Sequence, residues 1–107
     1  MLYVKNLPKY VRTRLRDSVA LNFCFQSKKG PRFACGTLNP KSIPDTKKSF
    51  FKEGYEPTEE EMNQELVMYY DLSVSDWRSF HASSIVSIED DEVCTELPDG
   101  ETWEDEQ

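Results

Sequence analysis

The sequence predicts a small, mostly β domain: an N-terminal helix, then five short strands curled into a strongly bent sheet or barrel. Three observations carry that reading. Apolar and polar side chains alternate along residues 19–26, and two further strand-like stretches close the chain's middle. Tight turns join strands on either side of a long insertion. A chain of 107 residues with six Phe, five Tyr and two Trp can build one small core. The domain is expected over residues 1–89, with the helix at about 7–17 and the strands within 18–89. Residues 90–107 are expected to be a flexible acidic tail.

Asn6-Leu7-Pro8 reads as a helix start, with Asn6 as cap and Pro8 in the first turn. At helical spacing Val11, Leu15 and Ser18 or Val19 face inward, and Lys9, Arg12 and Arg16 share the opposite side. Such a stripe suits phosphate, or is the wet side of an amphipathic helix. Val19–Gln26 and Arg32–Leu38 form a hairpin. A three-residue loop, Lys28 to Gly30, sets Phe23 opposite Cys35 and Phe25 opposite Phe33, giving one apolar face. In that register Cys24 points to the other face, away from Cys35.

Residues 39–44 read as a turn closed by Pro44, and 45–57 as a mobile loop. Thr58-Glu59-Glu60-Glu61 has capping-box spacing for a short helix. Leu66–Leu72, Trp77–Ala82 and Ile85–Ile88 are the remaining strands, with a polar step at Ser83-Ser84.

Charge is unevenly spread. Residues 1–52 sum to +10 and residues 53–107 to −17, within a net charge of −7. This polarity suggests a charged interaction surface, or two halves that attract each other. Three cysteines, Cys24, Cys35 and Cys94, form no C-x-x-C pair and no secreted disulfide framework. With no apolar run of spanning length and no secretory leader pattern, a cytoplasmic protein with no membrane partner is expected.

The residues offer no reactive constellation. His81 is the only histidine and sits in an apolar-aromatic strand, whereas nucleophilic catalysis also needs a nucleophile and an orienting partner. Cys24, Cys35, Cys94 and His81 lack the close spacings of a zinc site. Four scattered glycines make no phosphate loop. The expectation is no enzyme, no cofactor and no metal. Trp77, Arg78 and Phe80 form the most anchor-like local group, with Arg78 either a binding residue or a salt link to Asp71 across its hairpin.

Two segments carry a resemblance: Gly36-Thr37-Leu38-Asn39-Pro40-Lys41-Ser42-Ile43-Pro44, and Tyr70-Asp71-Leu72 followed by Trp77-Arg78-Ser79-Phe80-His81-Ala82-Ser83-Ser84-Ile85. With the hairpin before them they resemble a family of short WYL-like proteins with an SH3- or Sm-type β-barrel, common in bacteriophages. The likeness covers roughly residues 18–89. It implies a five-stranded SH3/Sm-like barrel, with Ser83-Ser84 as a 3₁₀ step before the last strand. The basic helix and the long acidic tail depart from that pattern. The function expected is a non-enzymatic, phage-type regulatory module that binds a host or viral protein. The alternatives are a nucleic-acid-binding Sm-like barrel masked by its acidic tail, and an acidic mimic of nucleic acid. The residues expected to bind are Lys9, Arg12, Arg16, Lys28, Lys29, Arg32 and Arg78, the nucleic-acid reading drawing on Arg14 as well.

Overall fold

Helix α1 (Leu7–Asp17) begins where the sequence places it. The Asn6 side chain accepts from the Lys9 N–H, Pro8 sits in the first turn, and the chain turns extended at Ser18. The computed structural model describes residues 1–48 and 56–106. Along them run β1 (Leu2–Tyr3), α1, β2 (Leu21–Ser27) and β3 (Gly30–Thr37). Two 3₁₀ turns (Pro40–Ser42 and Asp45–Lys47) precede α2 (Glu59–Met62). Then come β4 (Leu66–Asp71), β5 (Asp76–His81), a 3₁₀ turn (Ala82–Ser84), β6 (Ile85–Ile88) and β7 (Asp91–Cys94). The capping box at Thr58 and Glu61 and the 3₁₀ step before β6 are both present.

The strands form one sheet in the order β1-β7-β6-β2-β3-β4-β5. The five expected strands are its centre and one end. Two additions correct the expected five-stranded barrel: there are seven strands, and the sheet does not close, since its end strands β1 and β5 are not neighbours. The expectation of a tail beginning at residue 90 is corrected as well. Residues 91–94 pair antiparallel with β6 and parallel with β1. Of the loop expected at 45–57, residues 45–47 are a 3₁₀ turn, and 49–55 lie outside the described residues.

The first hairpin differs from its predicted register by one residue. Ser27 pairs with Gly30, Phe25 with Arg32, Phe23 with Ala34 and Cys24 with Phe33. The cause is at the turn. Ser27 Oγ donates to Gly30 O at 2.7 Å and accepts from Lys29 N–H at 3.3 Å, so only Lys28 and Lys29 remain as loop. Gly30 takes φ +111°, a conformation that favours glycine. Because side chains alternate, this single step moves Phe33 off the face it was expected to share with Phe23. Phe23 is 3% exposed and Phe33 86%. Cys24 and Cys35, expected on opposite faces, lie on one outer face, both as free thiols.

Small residues on β3 explain what fills the inner face instead. A Cβ on Gly36 would overlap the Tyr69 ring, so glycine lets that ring lie against the strand. Phe23, Phe25, Tyr69 and Phe80 then meet with ring centroids 5.1–6.2 Å apart. Val4, Leu7, Val11 and Leu15 belong to the same core, with Leu21, Leu38, Val67, Ile85 and Ile88 completing it. Val11 and Leu15 face inward as expected, but Val19, offered with Ser18 as the next inward position, is exposed.

Both quoted segments act structurally. Thr37 is fully buried and its hydroxyl donates to Ser18 O at 2.6 Å, while Leu38 N–H donates to Leu15 O, so the end of α1 is tied to β3. The Asn39 side chain accepts from Lys41 N–H and starts the 3₁₀ turn. In the second segment Tyr70 and Trp77 meet edge to face, and Trp77 Nε1 donates to Lys47 O at 2.8 Å.

Candidate functional site

Among the residues expected to bind, those on α1 are turned inward or paired. Lys9 Nζ lies 2.8 Å from Glu59 Oε1, and this hydrogen bond, with the lysine's charge, holds the Glu59 carboxyl below the ordinary range. Arg16 lies 3.3 Å from Glu56. Arg12 is 9% exposed. Its guanidinium donates to three backbone carbonyls: Met62 O at 2.9 Å, Gln64 O at 2.6 Å and Leu66 O at 2.6 Å. Burial lowers the Arg12 pKa from its ordinary value, while Glu61 and Glu65 act in the opposite sense. The expected basic stripe is therefore a seam joining α1 to residues 56–66. Helical periodicity alone could not show this, because an amphipathic helix end covered by an acidic segment has the same pattern as one facing water.

Arg14 is likewise engaged, donating to the Tyr10 hydroxyl at 2.9 Å. Arg78 makes the salt link to Asp71, at 3.7 Å, and remains partly exposed. Asp71 also accepts from the Ser73 backbone N–H and hydroxyl, at 2.9 and 2.6 Å, which closes the β4–β5 turn.

Lys28, Lys29 and Arg32 remain. All three are exposed at the tip of the β2–β3 hairpin. None appears in an ion pair among the described residues. No acidic residue occurs between Asp17 and Asp45, so this hairpin is a locally cationic element on a chain of net charge −7. Beside them stands Phe33, which the sequence reading assigned to the core. The signal that would have found it is Ser27: its hydroxyl can close a two-residue turn before Gly30, and that turn fixes the face of every later residue.

Phe33 is one wall of an open groove of about 570 Å³ across the outer face of β3, β2 and β6. Cys24, Cys35, Asn22 and Ser87 line it, and Glu89 and Asp90 stand at its β6 end. The groove is thus apolar at β3, polar in the middle and anionic at the β6–β7 turn. Those two acids carry no ion pair among the described residues.

A larger hollow, about 1050 Å³, lies between the start of α1 and residues 104–106. Several of its polar groups already satisfy each other. The Asp105 carboxylate accepts from the backbone N–H groups of Lys5 and Asn6, and Lys5 Nζ pairs with Glu106 at 3.4 Å. It reads as a seam between the chain's two ends. Among the described residues no helix is long and apolar enough to cross a membrane.

No curated protein and no solved structure is matched by this chain. A family model described as WYL_2, Sm-like SH3 beta-barrel fold, matches residues 13–86. That stretch runs from α1 to β6, takes in both segments that carry the resemblance, and spans well over half of the sequence, so the chain belongs to the WYL_2 family.

Proposed function

We propose that this protein is a non-enzymatic binding module that docks a partner protein on the outer face of its β2–β3 hairpin. One observation carries the reading: Phe33 is 86% exposed beside a groove, on a strand whose other face reaches the core at Ala34 and Gly36. Aromatic side chains are frequent anchors of protein interfaces because they bury a large area at little entropic cost. A rigid hairpin presents that anchor without a loop having to order itself. The partner is a host or viral protein in the regulatory setting that the family resemblance suggests.

A second reading has its own support. Three cations with an adjacent exposed aromatic ring also suit single-stranded nucleic acid, where bases stack on the ring and phosphates meet the cations. A cross-linkable residue at position 33, in the full chain, separates the two. The protein reading expects one or a few defined protein adducts that survive nuclease and are lost to excess wild-type chain but not to excess Phe33→Asp chain. Adducts that vanish with nuclease transfer the site to the nucleic-acid reading.

A further inference from the structure

The docking face ends at an open strand edge, and the ladder shows which groups are free there. Cys35 O accepts from Leu72 N–H at 2.9 Å, so Cys35 turns its backbone polar groups toward β4. Backbone direction alternates along a strand, so Phe33 and Pro31 turn theirs the same way. Pairing with β4 begins only at Gly36, opposite Asp71, and the chain leaves that line at the Ser73–Ser75 turn. Among the described residues no strand pairs with Pro31–Ala34 on that side. Proline at 31 fits, since its missing N–H falls where no donor is used. Among the described residues the open groups are therefore Phe33 N–H and C=O and Pro31 C=O, beside an exposed phenyl ring.

We infer that an extended, acidic segment of a partner protein adds as a strand to the β3 edge at Phe33, continuing the line of β4. This rests on the docking reading above. Edge addition gives affinity through main-chain hydrogen bonds and specificity through alternate side chains. An apolar residue opposite Phe33 would shield its ring. Charge selects the rest of the segment. Lys28, Lys29 and Arg32 flank the edge, the hairpin has no acid of its own, and the acids at the β6–β7 turn lie on the far side of β2. Opposite charges across neighbouring strands are favourable and like charges are not, so an acidic strand is accepted and a basic one refused.

The test uses the full chain and two capped octapeptides, one alternating valine with aspartate and one alternating valine with lysine. The aspartate peptide is expected to shift the Phe33 amide resonance and slow its hydrogen exchange. Binding should weaken about tenfold or more in Lys28→Glu/Lys29→Glu, and more in Phe33→Pro, which removes the N–H, than in Phe33→Ala, which keeps it. Equal weakening by those two Phe33 variants, with shifts confined to Cys24 and Ser87, would overturn edge addition and leave outer-face docking standing. Equal binding of both peptides, or of neither, overturns it too, and the cross-linking result then judges docking by itself. Should an oligothymidylate move the Phe33 resonances and the peptides not, both the inference and the protein reading fall.

Discussion

The Asp105 carboxylate accepts the backbone N–H of Asn6 at 2.8 Å, across 99 residues of chain. Its other oxygen accepts from Lys5 N–H at 2.8 Å, and Glu104 N–H donates to Tyr3 O at 2.7 Å. Val4 N–H donates to Cys94 O at 2.9 Å, extending the β1–β7 pairing. Two charge-assisted bonds to one carboxylate are the strongest link in this clasp. Asp105→Ala is expected to lower the unfolding free energy by about 1–2 kcal/mol and to speed exchange of the Val4 amide. Urea titration and hydrogen exchange measure the two. Unchanged values for both would mean that the clasp contributes nothing in solution.

Arg12 is expected to matter more than any exposed cation of α1. Its truncation leaves three carbonyls that the guanidinium now satisfies. Arg12→Ala should cost about 2–4 kcal/mol, because unpaired buried acceptors lose solvation as well as the bond. Lysine cannot reproduce the planar fork, so Arg12→Lys should fall between wild type and alanine. Lys9→Ala, which breaks an exposed pair with Glu59, serves as the control and should change stability by under about 1 kcal/mol.

The hairpin register makes opposite demands on two phenylalanines. Phe23→Ala should cost about 3–5 kcal/mol, the usual loss for a core aromatic. Phe33→Ala should stay within about 0.5 kcal/mol of wild type, as an exposed site does. Thermal or urea melts of both variants decide it, and a large loss for Phe33→Ala would restore the register in which it shares a face with Phe23.

Local chemistry made much of the fold readable before the structure. Asn6 and Pro8 marked the helix start and Thr58 with Glu61 the capping box, while the 3₁₀ step at Ser83-Ser84 followed from the family resemblance. The failures share a cause, which is that space and long-range pairing overrode apolar pattern. Asp91–Cys94 has an acidic composition with little core-forming capacity, yet it forms a strand because β6 and β1 offer backbone partners on both sides. Lys9, Arg12 and Arg16 stood out as a binding stripe because no sequence rule shows that residues 56–66 pack over them.

Tyr69 supplies a test of the core at alkaline pH. Its ring stands edge-on to Phe23 at 5.2 Å and to Phe80 at 5.6 Å. Burial pushes the phenol up from 10.0 to about 12; the negative charge of Asp71 adds to this, while Arg78 and Arg32 oppose it. The unfolded chain releases this proton near the ordinary value, so it binds fewer protons than the folded chain between the two. Stability contributed by neutral Tyr69 is thus complete below pH 10 and lost as pH rises toward and through about 12. Wild type should show a phenolate absorbance step near pH 12 that Tyr69→Phe lacks. Urea midpoints should fall between pH 9 and 11.5 less steeply in Tyr69→Phe than in wild type, once each is referred to its own value at pH 8. A variant with the same steepness and the same absorbance step would show that the Tyr69 hydroxyl is not held in the core.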